Sequence, residues 1–279
     1  MIDLHTHTNE SDGTCTPLEL VDRARAIGLE ALGISDHDTF AGYDQAVEPA
    51  RASGLDLVCG IELSVRLIGR HRSIHMLAYF LRQPPPLDFR DWVNGLIETR
   101  RDRNRRLVAK LQSMGVPIEL AEVERIGRTL TGRPHFARLL IQKGYAADYD
   151  DAFRRYFGES GPAFVERHGP AIDEACARVS QAGGLTVLAH PIRLGILDVA
   201  AEDAFIQDLR DGGLRGIEVY HSDHGPADVA RYSAIAKKYD LAITGGSDFH
   251  GDAKPGVSLG TGRNGNLSIP RSLLDALRA

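Results

Sequence analysis

Cysteine is scarce: the chain has three in 279 residues, Cys15, Cys59 and Cys176, an odd number with no C-x-x-C pair. That excludes a disulfide framework and a thiolate zinc site, and leaves the thiols as small packing residues. No apolar run is long enough to cross a bilayer, so no membrane partner is expected. The opening MIDLHTHTNE has neither the basic nor the apolar part of an export signal, and a cytoplasmic location is expected. A basic excess is missing too. With a formal net charge of −5 the chain lacks the surface of a general duplex binder. The local exception is the run from Thr99 to Lys110, TRRDRNRRLVAK, with five arginines and a lysine against one aspartate. A solvated helix face is the expected reading of such a run, and an anion-facing patch is the alternative.

What is present fits one α/β unit with an insertion better than two domains. Short β-branched apolar runs alternate with segments of helical period, the pattern of β-α units around a parallel sheet. The runs are Ile2 to His7, Ala31 to Ser35, Leu55 to Val65, Ser73 to Phe80, Leu185 to His190, Leu214 to Tyr220 and Leu241 to Gly245. Pro17 to Ile27 reads as a helix capped by Thr16, and Asp173 to Ala182 as one ended by Gly183 and Gly184. The interval from Pro84 to Gly169 is too long for an ordinary connection and must hold structure of its own. It carries heptad-like apolar positions at Trp92, Leu96, Leu107 and Leu111, a turn at Gly115 to Pro117, and helical patterns over Arg133 to Lys143 and Asp150 to Phe157. The division predicted is a barrel of residues 1–84 and 170–279, with residues 85–169 a small helical subdomain covering its active face.

His5 and His7, two apart on a strand, point the same way and can grip one ion. An H-x-H alone is weak evidence. The signal lies in repetition, because every run read as a strand has a metal-ligand residue in or just after it. His5 and His7 are followed by Asp36, His37 and Asp38 after the second run, Glu62 in the third and His75 in the fourth. His190 ends the fifth, Glu218 lies in the sixth with His221 behind it, and Asp248 and His250 follow the seventh. On a parallel barrel these positions converge on the carboxyl-end face. Imidazole and carboxylate without thiolate suit divalent Mn, Fe or Zn, and so many ligands exceed the needs of one ion. Two or three ions sharing Glu62 is the economical reading.

The blocks HTHT…SDG, SDHDT, GIE, the strand histidine His75, AHP and GSDFHG together resemble the PHP family of metal-dependent phosphoesterases over nearly the whole chain. The resemblance implies a distorted (β/α)7 barrel with an inserted small helical subdomain, and two to three divalent ions, Mn2+ first and Fe2+ or Zn2+ as alternatives. It implies one ion on His5, His7, Glu62 and Asp248, a second on Glu62, His75 and His190, and a third on Asp12, His37 and His250. The block TGRPHFARLL is similar to that of the subgroup that removes the 3′-phosphate of 3′,5′-nucleotide bisphosphates or trims short RNA from its 5′ end. The implied partners are thus a small nucleotide and short single-stranded oligonucleotides, with no obligate protein partner.

The chemistry agrees with that implication. A water bridging metal ions loses its proton near neutral pH and attacks phosphorus without a serine or cysteine nucleophile. Amide hydrolysis is the chemical rival. Catalytic roles are expected of His190, Asp248 and His221. Contacts to substrate phosphate are expected of Arg133 and His135 at a helix start, of Lys143 near that helix's end, and of Arg193 and His224. His71 and His168 have no motif context and read as surface or packing residues. A phosphatase for a small monoester such as histidinol phosphate and a non-catalytic metal-binding module are the competing readings.

Overall fold

The computed structural model describes residues 1–67, 73–158, 161–166 and 169–279; His71 and His168 lie outside the described residues. Seven strands form one sheet in chain order: β1 (Ile2–Thr6), β2 (Ala31–Ile34), β3 (Asp56–Arg66), β4 (Ser73–Phe80), β5 (Leu185–Leu188), β6 (Gly216–His221) and β7 (Ala242–Gly246). Each expected run is a strand to within two residues at either end. Backbone hydrogen bonds from His7 to Phe249 (2.9 Å) and from Asp248 to His5 (2.8 Å) bring the segment after β7 against β1, so the sheet curls into a nearly closed barrel.

The expectation of a parallel sheet needs correction. The β1/β2, β2/β3, β5/β6 and β6/β7 pairs are parallel, but β4 runs antiparallel to both its neighbours. Six residues separate Arg66 from Ser73, too few for the crossover a parallel pair needs. The reversal matters for the site, because it puts the start of β4 on the face where the other strands end.

Helices α1 (Pro17–Ala26) and α2 (Ala41–Ser53) follow β1 and β2. Thr16 caps α1 as expected: its hydroxyl accepts the Glu19 N–H, and the Glu19 carboxylate accepts the Thr16 N–H at 2.8 Å. Between β4 and β5 lie α3 (Leu87–Ser113), α4 (Leu120–Gly127), α5 (Arg133–Gln142) and the short α6 (Tyr149–Ala152), which runs on into a π-helical turn at Phe153–Phe157. Sequence reading missed α4. These helices close over an apolar cluster of their own that includes Leu107, Leu111, Val123, Phe136, Leu140 and Phe157. Helices α7 (Ile172–Gln181), α8 (Val199–Asp211) and α9 (Pro226–Tyr239) pack on the barrel, where Ile61, Leu63, Val179, Ile217 and Tyr232 join one core. The last helix, α10 (Arg271–Arg278), is tied to β3 by Arg271 and Arg278, both paired with Asp56.

The inserted helices meet the barrel face through polar contacts. Arg100 on α3 donates to Asp38 and to Ser64 Oγ, and Thr129 after α4 donates to Glu10.

Candidate metal centre

His5 and His7 share a buried face at the end of β1, and their Nε2 atoms approach the same two carboxylates. His5 Nε2 is 3.5 Å from Glu62 and 3.6 Å from Asp248; His7 Nε2 is 3.3 Å and 3.4 Å from the same pair. The four ligands expected of the first ion therefore converge. Glu62 also faces His75 (3.0 Å), His190 (2.8 Å) and His37 (3.0 Å), which places it at the middle of the cluster. Asp12 stands 3.2 Å from His250, 3.6 Å from His37 and 3.8 Å from His7.

Three sets of mutually close donor atoms result, each within 4.8 Å: His7, Asp12, His37 and His250; His5, His7 and Glu62; His37, Glu62 and His75. The first contains the expected third-ion ligands with His7 added. In the last, His37 joins Glu62 and His75; His190, expected with them, directs its Nε2 at the same Glu62 oxygen as His75 (2.8 Å), with the two rings 5.3 Å apart. His75 reaches the cluster from the start of β4 because that strand is reversed.

The donor set fits divalent cations. The ring nitrogens His5 Nε2, His7 Nε2 and His37 Nδ1 are buried without hydrogen-bond partners, yet all lie close to carboxylates. At His5 the opposite nitrogen is engaged: Glu218 accepts from His5 Nδ1 (2.8 Å), which aims Nε2 at Glu62 and Asp248; at His250 the Asp248 carbonyl accepts from Nδ1 (2.9 Å), which aims Nε2 at Asp12 (3.2 Å).

Electrostatics lead to the same conclusion. Burial alone would lower the pKa of His5, but Glu218, Glu62 and Asp248 outweigh it and hold it well above the usual imidazole value. His7 is raised to about 9 against the same burial, by Asp248 and Glu62. Burial would raise Glu62, but the imidazoles of His37, His75 and His5 hold it well below the usual carboxylate range. Buried carboxylates thus outweigh burial at His5, His7 and His37, whereas at His75, His190 and His250 burial wins and holds the rings below the usual imidazole value, His190 down to about 3 with Arg193 adding to the effect.

Asp38, His190 and Asp248 all adopt left-handed φ angles, 47°, 31° and 56°. Such strain in non-glycine residues clusters where a side chain must be aimed. Gly246 permits the closure of β7 on β1, since any Cβ there would come within 2.3 Å of the His5 backbone nitrogen.

Of the residues expected to touch substrate, Arg133 and His135 line a pocket of roughly 250 Å³ beside the cluster. His135 also caps α5, its Nδ1 accepting the Gly132 N–H (3.0 Å). Arg193 reaches the cluster's rim and pairs with Asp248 (2.8 Å) and Asp223 (2.7 Å). Two expectations fail. Lys143 is engaged by Glu122 and the Pro117 carbonyl at the far end of α5, one helix length of ~15 Å from its start. His224 is buried between His221 and Tyr232, its Nδ1 held by the Val219 carbonyl.

His221 does not line the pocket either. Its Nδ1 accepts the Asp223 N–H (3.0 Å), which puts the proton on Nε2, 3.4 Å from Asp248.

Some roles escaped sequence reading. Asp36, counted there among the ligand-type residues, instead accepts from Thr8 and Ser11 and fixes the loop that carries Asp12. Lys254 pairs with Asp248. Arg100 and Arg103 are buried against the pocket, although their run reads as a solvated face. Positions 100 and 103 continue the inward stripe of Leu96, Leu107 and Leu111, so the helical period held the signal.

The sequence profile of the PHP domain matches residues 3–162 of this chain. The chain belongs to the PHP domain family. Among curated PHP relatives, a Haemophilus influenzae 5′-3′ exoribonuclease is 32% identical over 89% of this chain and 89% of its own length. A 3′,5′-nucleoside bisphosphate phosphatase of Chromobacterium violaceum is 31% identical over 93% and 90%. A phosphoribosyl 1,2-cyclic phosphate 1,2-diphosphodiesterase of Eggerthella lenta is 33% identical over 89% and 94%. A solved structure assigned as a metal-dependent phosphoesterase of Bifidobacterium adolescentis superposes with a TM-score of 0.85 at 33% identity, covering 99% of this chain and 94% of that one. The fold is thus the PHP barrel with its helical insertion, and the chain is an enzyme of the PHP phosphoesterases. No described helix is long and apolar enough to cross a membrane.

Proposed function

We propose that this chain removes the 3′-phosphate from 3′,5′-nucleotide bisphosphates, with 5′-3′ trimming of short RNA as the related activity. The observation that carries this reading is the composition of the pocket beside the metal cluster. One wall is Asp12, His37 and His75; the other holds Arg66, Arg100, Arg103 and Arg133. A substrate with one phosphate at the cluster and a second among the arginines matches those two walls, and a monoester uses only one of them.

The residues that would hold metal are His5, His7, Asp12, His37, Glu62, His75, His190, Asp248 and His250, with Mn2+ the favoured occupant. Divalent cations there supply Lewis acidity toward water and phosphate oxygens. The protein's own part is positioning. Glu218 and the Asp248 carbonyl orient the histidines, and the arginines anchor the distal phosphate so that the 3′-phosphate lies at the cluster. Arg193, paired with Asp248 at the rim, adds positive charge where equatorial oxygens gather charge in the transition state.

Steady-state kinetics with manganese test the reading. The substrates are 3′-phosphoadenosine 5′-phosphate, adenosine 3′-monophosphate, histidinol phosphate and phosphoribosyl 1,2-cyclic phosphate. The bisphosphate is expected to exceed the monophosphate by roughly 100-fold in kcat/KM, since the monophosphate forgoes the charge-assisted contacts of one phosphate with the arginine wall. Equal rates on the two adenosine substrates, or a preference for histidinol phosphate or the cyclic phosphate, would overturn it.

A further inference from the structure

Asp248 gives its two carboxylate oxygens to different neighbours. Oδ1 lies 3.6 Å, 3.4 Å and 3.4 Å from ring nitrogens of His5, His7 and His250, among the metal ligands. Oδ2 meets donors of another kind: it pairs with Lys254 and with Arg193 Nη2 (2.8 Å), and His221 Nε2 stands 3.4 Å away. Arg193 is itself shared. Its Nε and Nη2 donate to Asp223 Oδ2 at 3.0 Å and 2.7 Å, so two of its N–H groups go to Asp223 and one to Asp248. Its Nη1 makes no hydrogen bond among the described residues.

Asp223 is only partly buried, yet it is anchored from several sides. Its N–H donates to His221 Nδ1 (3.0 Å), and Arg263 Nη2 donates to its Oδ1 (3.3 Å). The loop that carries it is pinned on both flanks. Ser222 Oγ donates to the Ser247 carbonyl (2.5 Å), while Asn266 Nδ2 donates to the carbonyls of Ser222 (3.0 Å) and His224 (3.3 Å). Arg263 and Asn266 belong to a small hairpin that follows β7, formed by β8 (Val257–Ser258) and β9 (Gly262–Arg263), and to the turn behind it. In that turn Asn266 Oδ1 accepts the Arg263 N–H (2.9 Å), with Asn264 and Gly265 at left-handed φ angles of 55° and 74° between them. Gly262 makes room for the same amide, since a Cβ there would come within 2.5 Å of Asn266 Oδ1. A partly exposed ion pair by itself contributes little to stability, so anchorage of this extent points to the placement of Arg193 as what it secures.

We infer that Asp223 is the positioning residue of Arg193: it restricts the guanidinium to Oδ2 of Asp248, so that Oδ1 is kept for a metal ion and Nη1 for a substrate oxygen. A guanidinium released from Asp223 can turn to grip both oxygens of Asp248, because its planar fork matches a carboxylate best when two N–H groups pair with two oxygens. In that arrangement the arginine competes with the cation for Oδ1. The hairpin thereby joins the active site at one remove, through Arg263 and Asn266. This rests on the assignment of Asp248 as a metal ligand in the reading above and on no particular substrate.

The test is a double-variant cycle on the full chain, read as manganese affinity by competition with a chelator and so independent of turnover. Asp223→Ala is expected to weaken manganese binding roughly tenfold, as loss of an outer partner of a ligand does elsewhere. Arg193→Ala alone is expected to stay within about twofold of wild type, since with Asp223 in place the guanidinium leaves Oδ1 untouched. The double variant is expected to recover to within about twofold of wild type, a strong coupling between the two residues. Asp223→Asn, which preserves the side-chain shape, is expected to weaken binding in the same direction and supplies the single-variant arm should the alanine variant fold poorly. A double variant as weak as Asp223→Ala would show that the aspartate merely stabilises its loop, and the inference would fall. It falls equally if neither Asp223 variant loses affinity, or if the effects add, with Arg193→Ala alone tightening binding by the factor it rescues, as plain charge balance requires. A wild-type chain that binds no manganese defeats the metal-centre reading itself; one that binds manganese but shows additive variants defeats only the role of Asp223.

Discussion

Glu218 shows how one buried carboxylate can govern the centre without being a ligand. It accepts from His5 Nδ1 and from the His190 backbone N–H at 2.7 Å, and so fixes the His5 ring and the turn that carries His190. Glu218→Gln keeps the shape but turns an amide toward one of those donors. Metal affinity is expected to fall on the order of 10- to 100-fold, as for other partners of ligating histidines, measured by competition with a chelator. The unchanged affinity of a merely space-filling residue would count against this role. Two cations on the insertion make a sharper pair. Arg100→Ala is expected to raise KM for a bisphosphate roughly tenfold, because it removes a buried guanidinium from the pocket wall. Lys143→Ala should leave both kinetic constants unchanged, since Glu122 and the Pro117 carbonyl hold that amine away from the pocket. The ligand set was legible in the sequence because each residue ends or follows a strand. The supporting acids Asp36 and Glu218 stood in the same motifs, but their hydrogen bonds join residues far apart in the chain, which spacing cannot reveal.

At the scale of elements, the strands were legible from β-branched runs and the direction of β4 was not, although the count of residues before it already forbade a parallel crossover. Helix α4 was missed because its eight residues carry only Val123 and Gly127 as buried positions, too few for a periodic signal. The Arg100 to Arg106 stretch misled for a different reason: its charge is real, but α3 turns two of those arginines inward with the leucines. A pH test belongs to α10. Arg278 holds the Asp56 carboxyl below its ordinary value, against a smaller effect of partial burial, with Arg271 adding to it. A lowered folded-state pKa means that this stabilisation is complete above the ordinary value of 3.8 and is lost as pH falls through the lower folded value. Asp56→Asn is expected to cost on the order of 1 kcal/mol at neutral pH. The gap to wild type should close in acid, as followed by denaturant unfolding at pH 7 and pH 3. A gap that stays constant or widens in acid would refute the clamp.

The whole molecule places a cation-seeking barrel face against a basic insertion, and its function follows from what lies between them. The barrel was legible as a repeat of strand-end ligands; the facing arginine wall required the three-dimensional docking of α3 and α5. Everything rests on the ring of imidazoles and acids holding several ions at once. Elemental analysis of the purified chain, stripped and then dialysed against excess manganese and washed, counts them directly. Between two and three ions per chain are expected, and a count of one or none would contradict the account.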